Sequence, residues 1–196
     1  MNRQTTAAIF CLLAVAGCDK PGAEVTVEET RPMTSRDTKP KLFATSDERF
    51  RNAKPSPVRG MTPEGWLVLP ASEFRLLNYR FGASGLGEVW VTLVSGTVID
   101  NVNRWVGEFG GDPLDGAAFG GLRTVPVAGA RGVWVEAAGE YKSVMSTDPR
   151  PGFALRGVVA DLGGRILTVK MVGPESEVAA ESEALERYAA SLVMAE

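Results

Sequence analysis

Histidine is absent from the chain, and cysteine occurs only at Cys11 and Cys18. Without an imidazole, Ser-His-Asp and Cys-His nucleophilic arrangements are excluded, as are the usual zinc and copper centres. Everything after Cys18 lacks both thiol and disulfide and must be held together by its apolar core. Basic charge is scarce as well. Lys and Arg number 21 against 24 Asp and Glu, for a net charge of -3. That balance argues against a nucleic-acid partner, which requires a basic stripe. The uncharged apolar run from Ala7 to Gly17 is shorter than the roughly 20 residues of a membrane-spanning helix. What remains for chemistry is carboxylate, lysine, tyrosine and arginine. No cofactor and no metal is expected.

The N-terminal run reads as a secretory signal over residues 1–17, with Arg3 ahead of the apolar stretch. It ends in Val15-Ala16-Gly17-Cys18, which resembles the bacterial lipobox. The resemblance implies a diacylglycerol on the Cys18 sulfur, cleavage just before it and further acylation, with palmitate among the chains. Several chains anchor stably where one is marginal, at about 0.8 kcal/mol per buried CH₂. The expected place is the periplasmic side of a cell membrane. Asp19 resembles the signal that retains lipoproteins at the inner membrane. Residues 18–60 are rich in Pro, Thr, Ser and charge. They have too little apolar surface to offset the entropy of ordering, so a tether is expected. A single domain should fill 61–196, a common size for one core.

Within that domain, Phe74 to Phe81 and Glu88 to Val94 read as strands, dense in β-branched and aromatic residues. Thr97 can cap a helix, with Asp100 at a spacing like that of a capping box. Val98, Val102, Trp105 and Phe109 then fall on one helical stripe, and Gly110-Gly111 ends it. Four more strand candidates follow: Leu122–Val127, Gly132–Ala138, Phe153–Leu162 and Arg165–Val172. Gly163-Gly164 joins the last two as a hairpin. One helix is expected from Glu175 to about Met194, with Val178, Leu185, Tyr188, Ala189 and Leu192 inward. This order predicts an α+β fold, a twisted antiparallel β-sheet flanked by two helices.

The element order resembles the Mog1/PsbP-like α/β/α sandwich. Gly65-Trp66, Asn101-Val102-Asn103-Arg104-Trp105, and Lys170 with Gly173-Pro174 also resemble the hallmarks of an uncharacterised bacterial lipoprotein family of planctomycete type. The likeness covers about Thr62 to Leu192. Where family members carry a basic residue after the Trp and a Gln two positions on, this chain has Val106 and Glu108. The resemblance implies fold and compartment and carries no established activity.

Each candidate site residue has a structural reading beside the functional one. Asn101, Asn103 and Arg104 form either a recognition surface for an anion or peptide, or a set of pins between helix and loop. Asp112 and Asp115 lie in a glycine-rich loop. They can serve turn geometry or contribute oxygen ligands to Ca²⁺, although the EF-hand spacing is absent. Lys170 stands in an apolar strand. It either points to solvent or into an ion pair, or is desolvated as a base or nucleophile, with Glu136 as its partner. Arg150 sits in the loop Ser146 to Phe153, a stiff connector or a binding loop.

The expected function is non-catalytic: a lipid-anchored binding or accessory domain with an envelope protein partner or small ligand. The alternative is a carboxylate-dependent hydrolase or transferase acting in the cell envelope.

Overall fold

The computed structural model describes residues 56–143 and 148–195. The signal segment, Cys18 and most of the expected tether lie outside these residues. The elements in chain order are β1 (Val58–Arg59), β2 (Leu67–Leu69), β3 (Leu77–Phe81), β4 (Gly87–Val94), α1 (Val98–Gly107) and α2 (Gly116–Gly120). Then come β5 (Thr124–Val127), β6 (Ala130–Tyr141), β7 (Arg150–Asp161), β8 (Ile166–Pro174), α3 (Glu175–Ala180), α4 (Ser182–Ser191) and β9 (Val193–Met194). Seven strands form one antiparallel sheet in the order β2-β3-β4-β8-β7-β6-β5, and β1 pairs separately with β9. Helices cover both faces, so the α+β architecture with an antiparallel sheet and flanking helices is the observed one.

Alternation along the strands sorts the residues into two cores. On the back face, Val89, Val91, Leu167, Val169 and Met171 pack with Val178, Leu185, Tyr188 and Leu192 of the C-terminal segment. On the front face, Val135, Leu155, Val159, Ile166 and Val172 pack with Val102 and Trp105 of α1. Helix α1 begins as expected. The Thr97 hydroxyl accepts from Asp100 N at 3.2 Å and donates to the Asp100 carboxylate at 2.6 Å. It ends where Gly110 takes φ +73°, a conformation that favours glycine, and Gly111 N donates to the Val106 carbonyl at 3.1 Å.

One cross-strand row fixes how α1 sits. Trp90, Lys170, Gly157 and Val135 are successive partners across β4, β8, β7 and β6. They therefore share the front face. Gly157 is the gap in this row, and the Trp105 indole fills it. A Cβ built on Gly157 would lie 2.7 Å from Trp105 Cζ3 and 2.5 Å from the Val169 carbonyl oxygen. The glycine is required here by close approach. It lets Trp105 lie on the sheet backbone, leaving the indole only 2 % exposed.

The structure corrects several sequence-based expectations. The expected tether reaches into the fold: Val58 is fully buried and paired with Met194. Pairing with the far C-terminus is a long-range event that no local pattern announces. The expected C-terminal helix is two helices. The chain turns at Glu181 (φ −94°, ψ 3°), whose carboxylate accepts from Trp66 Nε1 at 3.0 Å. The turn still leaves Val178, Leu185 and Tyr188 buried against the sheet. Strand β2 and the short α2 were not expected. Arg150 opens a strand rather than sitting in a loop; Ser146 and Thr147 lie outside the described residues. Among the described residues, no helix is long and apolar enough to cross a membrane.

The fit of Trp105 against Gly157 sets the first prediction. Gly157→Ala is expected to destabilise the full chain by about 1–3 kcal/mol, as overpacking does. Trp105→Ala should cost about 3–5 kcal/mol, as for a large buried aromatic. Urea denaturation of the two variants measures both. A Gly157→Ala protein as stable as wild type would show that the indole does not rest on that backbone.

Candidate functional site

Lys170 is the unusual residue of the front face. Its neighbours in β8 are apolar, yet its side chain turns into the protein and is about 4 % exposed. The ammonium forms an ion pair with Glu108, just past the end of α1. It also lies 5.4 Å from the Trp90 ring centre, 5.3 Å from Trp105 and 5.8 Å from Tyr141. These are distances at which an aromatic face attracts a cation. Both partners are held by backbone. Glu108 N donates to the Arg104 and Trp105 carbonyls, and its own carbonyl accepts from Lys142 N at 2.7 Å. Tyr141 is fixed between Phe109 (5.2 Å) and Phe153 (6.3 Å, stacked).

The partner expected for Lys170 was Glu136, and the structure replaces it with Glu108. Val135 shares the front-face row with Lys170, so Glu136, one residue on, belongs to the opposite face. There it accepts from Trp134 Nε1 at 2.7 Å and lies 3.6 Å from Arg156. Nor is Lys170 a surface residue. It is both buried and ion-paired.

Burial pushes the Lys170 ammonium down to about 8 from its ordinary 10.5. The Glu108 carboxylate opposes this by charge and hydrogen bond, while Arg104 and Arg75 reinforce it. Burial raises Tyr141 as well, with the Glu108 charge adding to it.

The pair lies at one end of an open groove of about 460 Å³ between α1 and the segment preceding β3. Trp90, Thr92 and Thr168 form its floor, and the two threonine hydroxyls are bonded at 2.6 Å. Phe74 and Arg75 flank one side; Arg104 and Trp105 flank the other. The Arg75 guanidinium covers the Trp90 ring at 4.3 Å and bonds Glu88 at 3.2 Å. Arg165, from the β7–β8 turn, closes one end.

The candidates from sequence part company here. Asn101 is a pin: its amide donates to the Thr97 carbonyl at 2.8 Å, and its oxygen accepts from Arg104 Nη2 at 2.9 Å. Asn103 is another, exchanging bonds with Leu114 N (2.8 Å) and Leu114 O (3.3 Å). Arg104 and Lys170 both line the groove. Arg150 does not; it lies 5.7 Å from the Phe153 ring, in a small dent beyond Tyr141. Asp115 caps α2 by accepting from Ala118 N at 2.8 Å, and Asp112 is exposed. No cluster of three or more metal-ligating residues occurs among the described residues. Sequence reasoning missed Arg75, Trp90, Glu108, Tyr141 and Arg165. The alternation of β4 could have placed Trp90 beside Thr92 on one face; nothing local could have placed Glu108 beside Lys170.

No family model matches the chain. No curated protein matches it either. Among solved structures, the chain is similar to a protein from Bacteroides thetaiotaomicron at 10% identity and TM-score 0.43, over 71% of this chain and 46% of that one. It thus spans less than half the length of that protein. It is also similar to LpqN, involved in cell envelope biogenesis of Mycobacterium tuberculosis, at 14% identity and TM-score 0.44, over 71% and 83% of the two chains. A third similarity is to cyanobacterial PsbP (CyanoP) from Synechocystis, at 14% identity and TM-score 0.42, over 71% and 88%. These are distant likenesses of fold. They give no support to a planctomycete-type lipoprotein family.

Two predictions follow from the ion pair. Lys170→Met alone should cost about 3–5 kcal/mol, because Glu108 is left as a buried, unpaired charge. Lys170→Met with Glu108→Gln should recover most of that loss in the same denaturant titration. The second concerns pH. Between about pH 8 and 10.5 the folded Lys170 has released a proton that the unfolded chain still holds, so stability rises with pH in this window. Tyr141 and Tyr188, both raised by burial, act oppositely once unfolded tyrosine ionises near pH 10. The melting temperature of wild type should therefore climb from pH 7 to about pH 9.5 relative to the double variant. Parallel profiles would show that Lys170 is not desolvated.

Proposed function

We propose that this chain is a non-catalytic binding protein, anchored by lipid on Cys18 to a cell-envelope membrane and holding a ligand or partner in the front-face groove. The observation that carries the binding reading is the groove itself. It combines an aromatic floor, polar hydroxyls and arginines, in a cleft of the 300–1,000 Å³ size typical of ligand sites. The lipobox sequence supports the anchor and a periplasmic setting, and Asp19 favours the inner membrane. The fold is compatible with accessory and assembly roles among many others, since fold alone does not define function.

The alternative of a carboxylate-dependent hydrolase or transferase has less to rest on. Glu108, the carboxylate at the groove's buried end, is already committed to Lys170. Bonded to a buried ammonium, it is not free to attack a substrate, and the groove's other carboxylate, Glu73, is exposed.

Two measurements on the full chain test the proposal. Metabolic labelling with a clickable fatty acid should mark wild type and leave Cys18→Ser unlabelled as a longer precursor. Equal labelling would remove the anchor. Native mass spectrometry of protein extracted from envelope membranes should reveal a retained adduct. Thr92→Trp, which fills the groove floor, should lose it. The same adduct on both proteins, or none on wild type, would count against the groove.

A further inference from the structure

Two arginines at the groove have no anionic partner among the described residues. Arg104 is exposed, and its hydrogen-bond partner is the neutral side-chain oxygen of Asn101. Asn101 is itself 4 % exposed and spends its amide on backbone carbonyls, so it holds the guanidinium in place without neutralising it. Arg165 has no ion pair among the described residues. By contrast, the charge of Lys170 is met by Glu108 and that of Arg75 by Glu88. The lining's other carboxylate is Glu73, which is exposed, so the groove keeps a net positive charge in a chain whose net charge is -3.

The uncharged lining adds a donor and an apolar surface. Two hydroxyls bonded to each other use one hydrogen between them. The second hydrogen of the Thr92–Thr168 pair is left for another acceptor. Phe74, at the groove edge, is 75% exposed, a large apolar surface without cover in the protein.

Resting on the reading of this groove as a binding site, we infer that its ligand is an amphipathic organic carboxylate. The carboxylate head meets Arg104 and Arg165, with a threonine hydroxyl as a further donor. The apolar body lies along Phe74 and the free surface of Trp90. A guanidinium fork suits a carboxylate because it offers two parallel donors to two oxygens. A cationic ligand would be repelled by both guanidinium groups, and a neutral one would leave their charge uncompensated.

The test uses the full chain and two isosteric probes, 4-phenylbutyrate and neutral 4-phenylbutanamide. Binding is followed through the indole N–H signals of Trp90 and Trp105 in nuclear magnetic resonance spectra. The acid should bind about 10-fold more tightly than the amide, as charge-assisted hydrogen bonds do. Arg104→Gln should bring the two probes together while leaving the melting temperature within about 2 °C. Equal binding of acid and amide, with Trp90 responding to both, overturns the carboxylate class and leaves the groove reading standing. Acid preference that survives Arg104→Gln combined with Arg165→Gln places the anion elsewhere and overturns the inference. If neither probe moves the Trp90 signal, the inference and the groove reading both fail.

Discussion

The contact of the Trp105 indole with the backbone at Gly157 is the constraint on which the front of the molecule depends. It brings α1 down onto β6 and β7, so that Val102 and Trp105 complete a core with Leu155, Val159 and Val172. The sheet is wider than this helix can cover. Strands β3 and β4, on the far side of β8, are left without a helix on that face, and the groove is the result. The same indole forms one wall of the compartment around Lys170. A side chain that serves the core on one surface therefore shapes the candidate site on the other.

That compartment keeps a charge inside without a bare desolvation loss. A buried ammonium is costly. Here its partner carboxylate is held at a helix end whose backbone is tied to Lys142, and three aromatic rings lie within cation–π range. Buried ion pairs are weak sources of stability, and in some proteins they serve to define geometry. The Lys170–Glu108 pair fits that description. It links strand β8 to the end of α1 and fixes where the groove stops.

The stretch Asn101–Trp105 divides its labour residue by residue. Val102 and Trp105 enter the core; Asn101 and Asn103 tie the helix to the chain before and after it. Asparagine is a poor helix former because its side chain competes for backbone groups. In this helix that competition is put to use, since the groups it binds lie in turns that need partners. Arg104, oriented by Asn101 and with no carboxylate partner among the described residues, is the member of the set that faces outward. The structural and recognition readings of the stretch thus apply to different residues within it.

The sequence by itself determined the α+β class, most strand positions, the capped helix from Thr97 onward and the inward faces of both helical segments. These follow from period, capping chemistry and turn residues within a few positions along the chain. The lipobox reading also rests on local spacing, although it concerns residues outside those described. Only the tertiary structure decided that Val58 belongs to the core, that Glu181 breaks the last helix, and that Lys170 pairs with Glu108 rather than Glu136. The ion pair joins residues 62 positions apart. Its assignment required knowing that β8 lies between β4 and β7 and which face α1 covers. Local pattern gives each side chain a direction, but which neighbours wait there depends on strand order and register, and those are set by burial across the whole sheet.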